Sequence, residues 1–393
     1  MTPLLRKFLG INWILFATMM GLLIFGVFAI YSASEFRADA GMALLWKRQI
    51  SLIAIGLVVF FGAALIDYRW MRWGSIPFYL GALALLIAVQ FEGVEVHSSK
   101  SWLKLGPLQF QPSQVAIAAG IVAIAFVLAE LHKHVPIFRY HFLRLILAGI
   151  LAAGPLALVL EEGDFGSASV WLPVLGAMLL VGSIPFRYLI VIALVAISVL
   201  PIAYNFGLKD YQKARIQVFM DLWAGKPINT QDEGYAINNI LMAVGSAGWE
   251  GKGFLGKNVK DQKTVNRMGF IPKDTAINDF IFTVVAEEQG FRGSMLLISG
   301  FAFLLLQLVF VAFSSRDQLG RLLVAGTGAL LFAHIFQNIG MNINLLPITG
   351  IPLPFISYGG TFVVINMFLL GVAQSVWIHR NTPAPEKERQ PSL

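Results

Sequence analysis

The chain has 393 residues, 57% of them hydrophobic and only 13% charged, with no cysteine and a formal net charge of +7. Soluble domains carry about 25% charged residues, so this composition, with a mean hydropathy of +0.72, excludes both an ordinary soluble protein and an intrinsically disordered one. The missing cysteine also excludes disulfides, thiolate zinc sites and cysteine nucleophiles.

Ten stretches are apolar enough to cross a bilayer, at about 13–32, 47–66, 74–92, 112–131, 142–160, 169–183, 186–205, 293–313, 320–343 and 356–378. They predict an all-α polytopic membrane protein, one transmembrane domain over 1–380, with a short polar tail at 381–393 that reads as disordered. The first apolar run continues from Ile11 to Tyr31, longer than a signal-peptide core, and reads as an uncleaved span. There is no tandem repeat. An even number of crossings puts both termini on one side. Arg6, Lys7, Arg69, Arg72, Lys133, Arg139, Arg144, Arg187, Arg316, Arg321, Arg380, Lys387 and Arg389 fall on that side, against Arg37, Lys47, Arg48, Lys100 and Lys104 opposite. The positive-inside rule then makes both termini cytoplasmic, and the basic excess is a topology signal rather than a nucleic-acid footprint.

The histidines His132, His134 and His141 fall in a cytoplasmic connection without a carboxylate or thiol at metal spacing, which reads as a solvated basic loop. One long extracytoplasmic loop, 207–277, separates the seventh and eighth spans, and loops of that length usually carry function. Within it Ile216, Phe219, Met220 and Trp223 follow helical spacing beside Lys209, Lys213 and Arg215, which suits a helix lying in the membrane interface. Ile237, Ile240, Leu241 and Val244 form a second stripe; packing on the bundle is the alternative for both. Gly251, Gly253 and Gly256 satisfy G-x-G-x-x-G, and with Lys257 and Asn258 nearly spell a P-loop. No strand precedes them, Asn258 stands where a magnesium-binding Ser or Thr is needed, and the loop lies outside, so no nucleotide cofactor is expected. The glycines instead allow tight backbone turns. In the ninth span His334, Gln337, Asn338 and Asn342, with Asn344 just beyond, should pair across helices or face a wet cavity.

Carboxylates near the outer ends of spans are costly and therefore candidates for chemistry: Asp164, Asp279, Glu287 and Glu288. A helix from Asn278 to Phe313 would be about 54 Å long, far more than a core of about 30 Å needs, so it must bend or break, with Gly290 and Gly293 the obvious places. Asp279 is then either presented to an outer cavity or simply caps a helix N-terminus.

Five motifs, in order along nearly the whole chain, carry a resemblance. Lys100-Ser101-Trp102-Leu103-Lys104-Leu105-Gly106 precedes Gln111-Pro112-Ser113. Gly163-Asp164-Phe165-Gly166 forms a turn motif. Gly245-Ser246-Ala247-Gly248 leads into Gly251-Lys252-Gly253. Asp279-Phe280-Ile281-Phe282 is followed by Glu287-Glu288-Gln289-Gly290. Asn338-Ile339-Gly340-Met341 is followed by an unusually long run from Leu346 through Pro347, Thr349, Pro352, Pro354, Ser357 and Tyr358 to Gly360. Together they resemble the SEDS family (shape, elongation, division and sporulation) of membrane glycosyltransferases.

The resemblance implies an inverting polymerisation of lipid II, the undecaprenyl-diphosphate-linked disaccharide pentapeptide, into glycan strands at the outer membrane face, alongside a class B penicillin-binding protein. It maps the family's essential aspartate onto Asp279, as general base or as ligand of a divalent cation, Mg or Mn, that binds the diphosphate. Lys100, Trp102, Asp164, Arg215, Lys252, Ser357 and Tyr358 become candidate substrate contacts, and Tyr211 through Ile216 resembles the rod-shape branch, favouring elongation over division. Gln114 and Ile117 depart from the pattern, standing where the family has a Glu and a Lys. Ile277 and Asn278 likewise replace a histidine, and 261–274 fits poorly. A lipid II flippase and a non-catalytic scaffold for the penicillin-binding protein are the rival readings.

Overall fold

The computed structural model describes residues 2–35, 42–96, 99–105, 108–202, 205, 210–227, 233–256, 264–271 and 273–381. The expected tail beyond 381, and Arg37, Lys209, Lys257 and Asn258, lie outside the described residues.

A short helix, α1 (Pro3–Leu9), begins at a proline and is capped by the Thr2 hydroxyl, which accepts the Leu5 N–H at 3.4 Å. The long apolar helices α2 (Trp13–Glu35), α3 (Leu45–Leu65) and α4 (Met71–Glu92) follow. A three-stranded antiparallel ribbon comes next: β1 (Val94–Val96), β2 (Ser99–Leu105) and β3 (Leu108–Phe110), in the order β1-β2-β3. This ribbon is an addition to the predicted all-α membrane domain. Its strands are too short for alternation to be read from the sequence, although Val94, Val96, Trp102 and Phe110 are strand formers.

Helix α5 (Pro112–Ala129) is the axis of the bundle. It is apolar on every side and buried over almost its whole length, as such a helix must be. Gly120 on α5 admits the indole of Trp171, whose ring lies 2.4 Å from where a Cβ would stand. The two departures from the family pattern sit on this helix: Ile117 is fully buried, and the Gln114 amide donates to the Ser167 hydroxyl at 3.4 Å. A neutral pair thus occupies a position where a buried ion pair would have to offset a large desolvation cost.

Next come α6 (Leu131–His134), α7 (His141–Glu161), α8 (Phe165–Ser169), α9 (Trp171–Val181) and α10 (Phe186–Ile202). The long loop carries α11 (Asp210–Trp223), α12 (Glu233–Gly245) and α13 (Lys273–Ala276), and α14 (Ile281–Ser314), α15 (Gln318–Asn342) and α16 (Gly360–His379) complete the chain. Eight helices are long and apolar enough to cross a membrane among the described residues. The expected sixth and seventh spans are shorter apolar helices, Phe165–Val181 and Phe186–Val195. Helix α16 packs along α3, α4 along α5, and α14 along α15. Leu296, Leu306, Phe310 and Phe313 on the far side of α14 are exposed, a lipid-facing stripe.

Helix α14 breaks at Gly290, which takes φ 66° and ψ −164°. The backbone groups freed by the break are paired by the loop: Lys252 N–H donates to Glu287 O at 2.9 Å and Gly253 N–H to Glu288 O at 2.8 Å, while Phe291 and Arg292 donate to Gly248 O and Trp249 O. The two chains cross so closely that a Cβ on Gly251 would stand 2.3 Å from Glu288 O. The glycines that mimic a nucleotide motif therefore serve a backbone crossing.

Candidate active site

The break divides α14 so that Ile281 to Gln289 forms a short separate arm, with Asp279 just before it. Asp279 is not its cap: the N-cap is Phe280, and no side chain caps the helix. What holds Asp279 is its backbone. Three successive carbonyls are clamped from other elements: Tyr358 N–H donates to Ile277 O at 2.9 Å, the Ser357 hydroxyl to Asn278 O at 2.6 Å, and the Asn338 and Asn342 amides to Asp279 O at 2.9 and 3.0 Å. Asn338 also donates to Ile351 O at 2.6 Å, tying the arm to the proline-rich run after α15. Among the described residues no side chain donates to the Asp279 carboxyl, and its Oδ2 lies 3.6 Å from where Gly350, at φ 74°, would carry a Cβ.

Two charged groups act on this carboxyl. Burial pushes the Asp279 pKa up to about 7, the Arg215 guanidinium pulls it down, and the Asp164 carboxylate pushes it up. Asp164 caps α8 by accepting the Ser167 N–H at 2.9 Å and receives the Gln111 amide at 3.0 Å. Gly166 in the same turn lies against Thr349 O, where a Cβ would stand 2.7 Å away, so the turn and the proline-rich run are packed together. Burial also raises the Glu162 carboxyl to about 8, with the Asp164 charge adding to it. Arg215 lines a cleft with Phe219, Ile237, Leu346, Pro347 and Ile348, and its guanidinium is 5.5 Å from the Tyr211 ring. Tyr211 in turn donates to Gly163 O at 3.0 Å, which ties α11 to the Asp164 turn.

Four separate motifs therefore converge on Asp279: the Asp164 turn, Arg215 on α11, the asparagines of α15, and the run that contains Ser357 and Tyr358. Lys100 and Trp102 lie on β2, which reaches the same turn through the Lys100 N–H to Glu162 O at 3.4 Å. The Lys100 ammonium is exposed and donates to the carbonyls of Gln90 and Phe91 near the end of α4, a favourable place for a cation. Trp102 is half-buried in the ribbon opposite Val94.

Two predicted substrate contacts require correction. Lys252 is buried, and its ammonium donates to Glu287 Oε1 at 2.7 Å, so the charge is already matched inside the protein. The Ser357 hydroxyl is spent on the backbone, donating to Asn278 O and accepting the Leu353 N–H at 2.7 Å, so it holds the arm in place. The second apolar stripe of the loop also packs inward: Ile237 and Ile240 are buried, and Ile240 clusters with Val265, Phe280 and Met341. On the first stripe Met220 and Trp223 are exposed, with the Trp223 indole donating to Asn344 O at 2.9 Å.

The asparagines of α15 are the site residues that had been given no specific role. His334, Asn338 and Asn342 repeat every four residues, one face of a helix, and that spacing is the signal. His334 itself bonds within its own turn, at Leu330 O, and packs on Phe362. Among the described residues no three His, Asp or Glu side chains form a group able to hold a metal.

The sequence profile of the FtsW/RodA/SpoVE group, described as cell cycle protein, matches residues 12–382. The chain belongs to the FtsW/RodA/SpoVE family. It is 30% identical over 364 residues to the peptidoglycan glycosyltransferase MrdB of Escherichia coli K12, an alignment covering 92% of each protein. It is 31% identical over 380 residues to the probable peptidoglycan glycosyltransferase FtsW of Geobacter sp. strain M18, covering 95% of this chain and 98% of that one. Among solved structures, the rod shape determining protein RodA of Thermus thermophilus superposes with a TM-score of 0.67 at 24% identity, over 95% of this chain and 98% of that one. A chain from a peptidoglycan synthase complex superposes with a TM-score of 0.75 at 24% identity, over 95% and 99%. These two likenesses show the fold. As an FtsW/RodA/SpoVE member the chain is a multi-pass membrane protein, in line with its eight long apolar helices.

Proposed function

We propose that this chain is a peptidoglycan glycosyltransferase that polymerises lipid II at the outer face of the bacterial inner membrane, with both termini cytoplasmic. The observation that carries the reading is Asp279: a carboxyl with no side-chain donor among the described residues, raised to about 7, on a backbone clamped at three consecutive carbonyls. Such a group suits proton abstraction near neutral pH, because a general base works best when its pKa lies near the operating pH. The hydroxyl of the acceptor sugar gives its proton to Asp279 as its oxygen bonds to the anomeric carbon of the donor. The bond from that carbon to the donor's diphosphate breaks, the configuration inverts, and the diphosphate leaves with the electron pair on its lipid. Arg215, whose charge already acts on Asp279, meets the negative charge that develops on the leaving group in this reading.

A class B penicillin-binding protein is the proposed partner, and elongation the proposed setting. Metal dependence of the reaction would place Mg or Mn on the substrate's diphosphate rather than in a protein cage. The deciding experiment incubates the purified chain, alone and with that partner, with lipid II and resolves the products on a gel. Glycan strands are expected; translocation of lipid II without glycan would favour the flippase, and neither activity would leave the scaffold.

The pH profile gives a finer test. Arg215 lowers the Asp279 pKa, so Arg215→Gln should move the rising limb of the polymerisation rate to higher pH. Asp164→Asn removes a charge that raises it and should move the limb to lower pH. Rates measured between pH 5 and 9, about two units either side of the Asp279 value, would show the two shifts with opposite sign.

A further inference from the structure

The connection between α5 and α7 carries His132, His134 and His141, and only part of it is solvated: His134 and His141 are exposed, but His132 is half-buried. From Leu128 to Leu160 the chain holds one acid, Glu130, against Lys133, Arg139, Arg144 and the histidines. That acid is already matched, because its carboxylate receives the Lys133 ammonium at 2.8 Å. Among the described residues Arg144 has no carboxylate partner.

Arg144 lies in the first turn of α7 and is buried, with 8% of its surface exposed. Side chains on a helix lean toward its N-terminus, which brings this guanidinium level with the end of α5. There Nη1 donates to Leu128 O at 3.1 Å, while the enclosed Nε has no partner among the described residues. The enclosed Nδ1 of His132 has none either. Burial lowers the His132 pKa, and the charges of Arg144, Lys133 and Arg139 lower it further against that of Glu130, so these groups share one electropositive neighbourhood. Two enclosed nitrogens in it call for an acceptor, because native proteins seldom leave such groups unpaired. Helix α7 also begins without a side-chain cap, which leaves its first N–H groups and the positive end of its dipole at the same place.

The surface beside these cations is apolar. Phe142, Ile146 and Ile150 are exposed at four-residue spacing, a stripe that runs from the charged end of α7 along a membrane-spanning helix. Ile190 and Leu194 on α10 are exposed as well, and the Phe142 ring meets Tyr188 of α10 at 6.3 Å. The Arg187 guanidinium lies 5.0 Å from that tyrosine ring, so a further cation stands at the head of the same apolar surface.

We propose that this end of α5 and α7 binds an anionic phospholipid, with the phosphodiester on Arg144, His132 and the start of α7 and the acyl chains along Phe142, Ile146 and Ile150. The shared chemistry is a phosphate oxygen meeting an arginine, and a free phosphate would satisfy the cations equally. It would leave the adjoining hydrocarbon stripe uncovered, which is why a lipid is the occupant. The site depends on no catalytic assignment; only its leaflet follows from the proposed orientation.

The test strips lipid from the purified full-length chain in a neutral detergent, adds phosphatidylglycerol or phosphatidylcholine, and follows bound lipid by native mass spectrometry. Preferential retention of phosphatidylglycerol is expected, weakened about ten-fold in Arg144→Gln, the scale of one lost charge-assisted hydrogen bond. Arg6→Gln removes an exposed cation from the same proposed face and should bind as the wild type does. Equal retention of the two lipids overturns the proposal, as does a folded Arg144→Gln that binds phosphatidylglycerol like the wild type, or an equal loss in Arg6→Gln. Should Arg144→Gln fail to fold, the double variant His132→Gln with Arg139→Gln must weaken phosphatidylglycerol retention, and unchanged retention there overturns the proposal. Inorganic phosphate added alone separates the two sources: phosphate bound through Arg144 without retention of phosphatidylglycerol would replace the lipid by a soluble anion.

Discussion

Asp279→Asn is expected to fold and to bind lipid II, yet to polymerise it about 10²- to 10⁴-fold more slowly, the usual contribution of a positioned general base. The amide has the shape of the carboxylate but cannot take up the acceptor's proton. The contacts that place this residue are made to its backbone carbonyl by Asn338 and Asn342 and should survive the change. Wild-type activity should fall as pH drops through about 7, because the base must be ionised and burial holds its pKa there. The residual activity of the amide variant should lack that limb. Gel assays of lipid II polymerisation across pH, on both proteins, check both statements. Full activity in Asp279→Asn would remove Asp279 from the chemistry.

Lys252→Met should produce the largest loss of stability, about 3–5 kcal/mol, because it leaves an unpaired carboxylate inside the protein. Glu287 has no exposed surface. Without the ammonium it keeps the Val265 N–H at 2.7 Å and the Asn266 N–H at 3.5 Å. These two donors join 264–271 of the loop to the arm, and the Asn266 amide continues to Ala33 O on α2. The expected result is a marked fall in the melting temperature of the detergent-solubilised protein. Adding Glu287→Gln should recover much of it, since a neutral amide still accepts both backbone N–H groups and leaves no charge to desolvate. Equal melting temperatures for wild type and Lys252→Met would show that Lys252 is not the partner on which Glu287 depends.

Arg215 and Lys252, both expected as substrate contacts, meet different partners in the fold. Both are cations in the same loop, and nothing in their local sequence separates them. Arg215 acts electrostatically on Asp279, whereas Lys252 meets a carboxylate 35 residues away in the chain. Which acid a base finds depends on the crossing of 248–253 over the α14 break, a pairing between distant segments. The break itself was visible beforehand, because a helix of about 54 Å does not fit a core of about 30 Å, and Gly290 tolerates a positive φ. Ser357 was legible as a member of a motif, but its task was not: a hydroxyl that could meet a sugar is used to hold a carbonyl.

Composition and periodicity alone determined that this is a polytopic helical membrane protein, and located its apolar segments, because burying a helix in lipid demands a local run of apolar residues. They also marked Asp279 as a costly carboxylate next to an apolar run. The short ribbon, the partners of the loop cations and the triple clamp on the arm were decided by tertiary structure. Hydrogen bonds and ion pairs between segments depend on where the chain returns in space, and local sequence does not encode that distance. The asparagines at 338 and 342 show both sides: four-residue spacing put them on one helix face, but only folding put the Asp279 carbonyl opposite them.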